Sequence, residues 1–163
     1  MSARRLAGVV AGAGDALDRP VPPSGYTPRQ IARHMANANE PYLLALDDLA
    51  KSLPQGDASN PVRRTFLGKF LEKAAGPGGN APIPSRWVPP ASAECGDPFT
   101  DLASQTELLD QYAKALVKKD LARATVRNPL IRFLTMTVDD VYLLLAAHTE
   151  RHVGQIEQGT EGK

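Results

Sequence analysis

The stretch Met136–Gln158, MTVDDVYLLLAAHTERHVGQIEQ, holds two of the chain's three histidines, His148 and His152, four residues apart. Thr137 followed three residues on by Asp140 has the pattern of a capping box, and Met136 and Val141 occupy the two positions of a hydrophobic staple. A helix therefore opens here. Its apolar stripe runs Val141, Leu145, His148, His152, Ile156, the spacing of one buried helical face. Both imidazoles are expected to face the core of an all-α fold.

Two neutral imidazoles one turn apart lie one above the other and can share a single divalent cation. The same rings can also serve as hydrogen-bonded core residues. Packing alone has little use for two adjacent desolvated rings, so both readings stay open on this helix alone.

A length of 163 residues fits one domain, taken here as 1–163, with a core of useful size. With 19 basic and 18 acidic residues the net charge is +1, which gives no pull towards nucleic acid or an anionic membrane. The pairs Arg4 and Arg5, and Arg63 and Arg64, read as solvated helix faces. One cysteine, Cys95, excludes an intramolecular disulfide and fits a reducing compartment. It sits in a proline-rich loop with no flanking histidine, which argues against a reactive thiol. The start, MSARRLAGVVAGAGDAL, is basic and then apolar, but its glycines and Asp15 weaken a signal-peptide reading, and the run is too short to span a membrane. The expectation is a soluble cytoplasmic protein.

Leu6, Val9, Val10, Ala13 and Leu17 predict a first amphipathic helix over about 2–18, weakened by Gly8, Gly12 and Gly14 at up to ~1 kcal/mol each. Arg19–Gly25 then turns. Thr27, Pro28 and Gln30 supply cap, N1 proline and capping-box partner, with Tyr26 and Ile31 as staple, for a second helix to about Ser52. Its stripe is Ile31, Met35, Ala38, Tyr42, Ala45 and Leu49, and His34 lies beside it. Pro41 removes the donor to the Asn37 carbonyl and predicts a kink about two turns past His34, either one the helix simply tolerates or one that shapes a cavity beside His34.

Asn60 and Pro61 are expected to cap a short helix through Ala74, with Val62, Phe66, Leu67, Phe70 and Leu71 covering one side of the bundle. Gly76–Pro98, GPGGNAPIPSRWVPPASAECGDP, can hold neither helix nor regular strand and contains the only tryptophan, Trp87. Asp97 and Pro98 cap a third helix to about Asp120, with Leu102, Leu109, Tyr112 and Leu116 inward. Asn128 and Pro129 break the chain before the histidine-bearing helix, and no alternating run marks a strand. Two short links and one long crossover, made of the extra helix and the Pro/Gly-rich loop, predict a four-helix bundle going up, down, down, up. In that arrangement His34 reaches the end of the bundle where His148 and His152 lie.

This combination resembles the DinB-like superfamily, also called the DinB/YfiT group of metal-dependent bundle proteins. The resemblance rests on YTPRQIARHMANANEPYLLAL at Tyr26–Leu46 and on the NPL segment at Asn128–Leu130 followed by MTVDDVYLLLAAHTERHVGQIEQ, with its H-x-x-x-H-x-x-Q. It spans nearly the whole chain, with Asn60–Pro98 as a variable crossover. The resemblance implies that His34, His148 and His152 bind one divalent metal, commonly zinc, nickel or iron, with open positions. Three imidazoles and a vacancy are the donor set of a catalytic rather than a structural zinc.

Relatives of known activity transfer or rearrange adducts of low-molecular-weight thiols such as bacillithiol or mycothiol, and a similar domain supplies iron ligands in ergothioneine biosynthesis. The resemblance therefore implies a thiol S-transferase acting on a small electrophile, in stress or detoxification and often as a homodimer. Asn37 and Gln155, one turn from ligands on the same faces, are positioned to orient a ligand ring or the substrate. Thr149 stands where relatives often carry an acid, and Tyr26 where many carry tryptophan. Glu150 points away from the histidine face. A metal-dependent hydrolase and a non-catalytic metal- or ligand-binding bundle remain as alternatives, since fold alone does not choose among them.

Overall fold

A computed structural model describes residues 5, 8, 9, 14–56, 62–122 and 124–161. The expected first helix falls mostly outside the described residues: residues 5, 8 and 9 are helical, and Gly14–Asp18 form a 3-10 turn. Gly14, the first residue of that turn, takes φ 47°, in the left-handed region that glycine enters without steric cost.

Helix α1, Pro28–Ser52, opens on the capping box: Gln30 N donates to Thr27 Oγ1 at 3.2 Å and Thr27 N to Gln30 Oε1 at 3.1 Å. It continues through Pro41 without a break. Helix α2, Phe66–Ala75, starts several residues later than expected, because its cap is Thr65, whose hydroxyl accepts from Gly68 N. Asn60 and Pro61 lie outside the described residues. Leu67, Leu71 and Ala75 pack on the core, while Phe66 and Phe70, expected to cover the bundle, are 87% and 59% exposed. Helix α3, Pro98–Leu116, is capped by Asp97 as expected and ends one turn short of Asp120. The crossover between α2 and α3 is irregular apart from 3-10 turns at Ser85–Trp87 and Ser92–Glu94.

Between α3 and the last helix, strand β1 (Val126–Arg127) pairs antiparallel with β2 (Thr135–Met136), a hairpin that corrects the strand-free expectation. Two residues per strand are too few to show alternation in a sequence. The turn is held by Asn128, whose Oδ1 accepts from Leu130 N and Ile131 N at 2.9 Å. Helix α4, Val138–Glu161, follows from the expected Thr137–Asp140 capping box.

The four described helices pack in pairs, α1 with α3 and α2 with α4, and α1 also meets α4. Arg33 pairs with Asp101, Asn39 with Gln105, and the Leu53 carbonyl with Lys119, so α1 and α3 run parallel, as the long crossover requires. The core has two clusters. Ile31 and Met35 of α1 meet Val153 and Ile156 of α4 in one, and Tyr42 and Leu46 meet Val141 and Leu145 in the other. The start of α1 therefore lies against the end of α4, and the three histidines fall between the clusters.

At the opposite end, Asp140 is fully buried and accepts from Thr65 N (2.9 Å), Thr65 Oγ1 (2.8 Å), Thr137 N (3.2 Å) and Arg64 Nε (2.9 Å). Arg64 is thus half-buried and paired with Asp140 and Glu72, which corrects the reading of a solvated helix face. Arg63 and Arg64 in fact precede α2. Gly68 leaves room for this carboxylate, because a Cβ there would lie 2.0 Å from Asp140 Cγ. No described helix is long and apolar enough to cross a membrane.

Candidate metal centre

His34 stands in the second turn of α1, its position fixed by the Thr27 capping box, and the antiparallel approach of α4 brings His148 and His152 to it. The ring planes stand at 77°, 78° and 89° to one another, so the rings meet edge-on and do not stack. Nε2 of His148 is 3.2 Å from Nε2 of His34 and 3.0 Å from Nε2 of His152. One nitrogen from each ring lies within 4.8 Å of the others, and the cluster could hold a metal ion.

The outer nitrogens decide what the inner ones carry. His34 Nδ1 is 3.0 Å from the Trp87 carbonyl oxygen, which can only accept, so Nδ1 bears the hydrogen and Nε2 a lone pair. His152 Nδ1 faces Gln155 Oε1 at 2.7 Å and is held in the same tautomer. A hydrogen on His148 Nε2 can be donated well to only one of the two neighbours. At least one inward lone pair is then left without a donor, and without that hydrogen three lone pairs converge. One cation satisfies all three.

Spacing agrees with this reading. Nitrogens bound tetrahedrally to zinc at ~2.0–2.1 Å stand about 3.3 Å apart, close to the separations between these rings. Ligating imidazoles must also be neutral, and the surroundings hold them so. Burial is the main cause in each ring, and the Arg151 charge adds to it. It lowers His34, drives His148 well below the usual imidazole range with help from the two neighbouring rings, and brings His152 to about 4.

The cluster opens on a cavity of about 150 Å³. Its walls are mostly apolar, with Ala38, Ile83, Pro84 and Leu144 among them, and Trp87 at the crossover side. Tyr42 and Asn128 bring polar groups to it, joined by a 3.5 Å contact from Asn128 Nδ2 to the Tyr42 oxygen. Burial pushes the Tyr42 phenol up to about 12, so it stays protonated and able to donate.

Of the other residues singled out from sequence, Gln155 lines the cavity and supports His152. Asn37 is half-buried and is not among the lining residues. The Thr149 hydroxyl donates to the Leu145 carbonyl of its own helix at 2.8 Å, so nothing at that position serves as a base. Glu150 pairs with Arg5 on the far face of α4, as its spacing from the histidines predicted. Cys95 is buried, and burial pushes its thiol up. Sequence reasoning missed the Trp87 carbonyl and Arg151. The carbonyl left no signal, whereas Arg151 was visible as the i+3 neighbour of His148.

Capped helices in this order, with an imidazole from one helix meeting two from another over an apolar cavity, define a histidine-bearing bundle of one family. The chain belongs to the DinB superfamily, whose family model matches residues 2–156. No curated protein and no solved structure matches it.

Proposed function

We propose that this chain is a metal-dependent enzyme of the DinB superfamily that transfers a low-molecular-weight thiol to a small electrophile. In this reading His34, His148 and His152 hold one divalent cation, of zinc, nickel or iron. The observation that carries it is the convergence of three neutral imidazole nitrogens, each outer nitrogen with a partner being turned away, at the floor of an apolar cavity. When bound, the metal supplies a lowered pKa for a thiol or water and so a nucleophile at neutral pH.

The chain's own residues supply position and a dry environment. The Trp87 carbonyl and Gln155 lock two ring tautomers, and the apolar walls exclude water from the reacting pair. A cavity of about 150 Å³ fits small reactants. In the transfer the thiol gives up its proton and sulfur forms the new bond to carbon; the displaced electron pair departs with a leaving group or, at an activated double bond, moves to the adjacent carbon, which takes up a proton.

The first test is elemental analysis of untagged protein purified without chelators, beside a His148→Ala/His152→Ala double variant. One metal ion per chain in the parent and none in the variant is the expected result. Conjugation of a test electrophile only when thiol is added then supports the transferase. Turnover without thiol points to a hydrolase, and a filled site without turnover to a binding bundle. Absence of metal after reconstitution with zinc, nickel and iron removes all the catalytic readings. Association into a homodimer belongs to the same proposal, supported by the exposed Phe66 and Phe70 one turn apart on α2, and sedimentation tests it.

A further inference from the structure

Four arginines among the described residues are half-buried: Arg29, Arg33, Arg64 and Arg151. Three of them are neutralised by carboxylates, Arg29 by Asp18, Arg33 by Asp101, and Arg64 by Asp140 and Glu72. Arg151 has no ion-pair or hydrogen-bond partner among the described residues, yet it lines the cavity over the histidines. A guanidinium partly withdrawn from water gains from an anionic partner, and the other three half-buried arginines among the described residues each have one within the chain.

Position adds to charge. Arg151 follows His148 by three residues and precedes His152, so it projects on the His148 side of α4 into the same space as Gln155. Its charge is felt by all three rings. Among the described residues no aspartate or glutamate lines the cavity. The space therefore combines apolar walls, neutral imidazoles and one unopposed planar cation.

We infer that Arg151 is the substrate-recognition residue of this cavity and that one of the two reactants carries a carboxylate, which the guanidinium grips with its paired N–H groups. The inference rests on the proposed thiol transfer for the identity of the reactants, but not for the existence of the anion subsite. A planar fork of donors matches a carboxylate in two parallel hydrogen bonds, and the apolar walls strengthen them by excluding water. The carboxylate belongs either to the thiol or to the electrophile, and each source has its own probe.

Trp87, the single tryptophan, lines the cavity and reports binding by its fluorescence without any need for turnover. Chelator-treated protein is titrated with 3-mercaptopropionate beside 3-mercaptopropionamide, and with monomethyl fumarate beside dimethyl fumarate. The expected result is that the carboxylate member of at least one pair binds about tenfold or more tightly than its neutral counterpart. In Arg151→Gln that gap shrinks to within about twofold, while Arg151→Lys keeps part of it, since a point charge replaces a fork. The pair that shows the gap identifies the reactant.

No gap in either pair, an absence of binding by all four probes, or a gap that survives Arg151→Gln overturns the inference. Zinc content of the reconstituted parent and Arg151→Gln is measured on the same preparations. Metal retained with no carboxylate preference removes this inference alone. A carboxylate preference in a chain that takes up no metal removes the proposed function alone.

Discussion

Helix α4 carries two buried polar clusters, one at each end, and they are finished differently. At Asp140 three donor groups from the α2 approach and one from the cap of α4 converge on a carboxylate, so every strong interaction of that charge is made within the chain. At His148 and His152 the inward-facing nitrogens meet one another and His34, and at most one hydrogen is available among them, so at least one lone pair has no donor within the chain. A polar cluster that closes on itself holds a fold together; one that leaves lone pairs converging is completed by something from outside.

The sharpest way to break this contrast is to remove each cluster in turn. Asp140→Ala leaves Thr65 N, Thr65 Oγ1 and Thr137 N without this acceptor and Arg64 with Glu72 alone, and breaking such a buried pair costs about 3–5 kcal/mol. Gly68→Ala acts on the same cluster, since its Cβ has no space beside Asp140. Urea denaturation of metal-free protein should show both losses and only a small change for His148→Ala/His152→Ala. A double variant as unstable as Asp140→Ala would make the histidines structural and undo the comparison.

Acid separates the two ends next. The histidine pKa values are depressed in the folded state, so as pH falls below the ordinary 6.5 the unfolded chain takes up protons that the folded chain refuses, and stability falls. For His152, held at about 4, the loss between pH 6.5 and 4 is about 3 kcal/mol in metal-free protein. Asp140 behaves oppositely in origin. Burial alone would raise it, but the hydrogen bonds from Thr65, Thr137 and Arg64 hold it at about 2, so its contribution is kept until pH falls below about 3.8. Stability against pH should therefore drop in two windows, and His148→Ala/His152→Ala should flatten only the upper one.

Metal sharpens the contrast from the other side. Zinc at one hundred times its dissociation constant stabilises a chain that binds it only when folded by about 2.7 kcal/mol. Thermal melts with and without zinc should show that gain in the parent and in Gly68→Ala, and none in the double histidine variant.

What the sequence revealed follows the range of the forces involved. The Thr27–Gln30, Asp97–Pro98 and Thr137–Asp140 starts depend on residues a few positions apart, and all three helices begin where those residues put them. The histidines were legible because a stripe at helical spacing fixes which way they face, and the parallel run of α1 and α3 followed from loop length. The start of α2 was not legible: Asp140, 75 residues away, secures Thr65 as its cap. Arg64 was misread for the same reason, as its partner lies on another helix. The Trp87 carbonyl is a group every residue owns, so no residue type could announce that it orients His34.

Gln155 and Asn37 were placed one turn from a ligand by the same spacing rule, and the structure treats them differently. Gln155 Oε1 receives the His152 Nδ1 hydrogen and thereby keeps the Nε2 lone pair pointed inward. Asn37 neither lines the cavity nor meets His34, whose outer nitrogen is already held by Trp87. Gln155→Leu should weaken zinc binding about tenfold while leaving the metal-free melting temperature nearly unchanged, because the imidazole then loses the partner that fixes its tautomer. Asn37→Ala should leave zinc affinity unchanged in the same competition titration against a chelator. Equal losses in both would mean that the two faces share the work of orienting the rings, and a loss in neither would mean that backbone packing alone holds His152 in place.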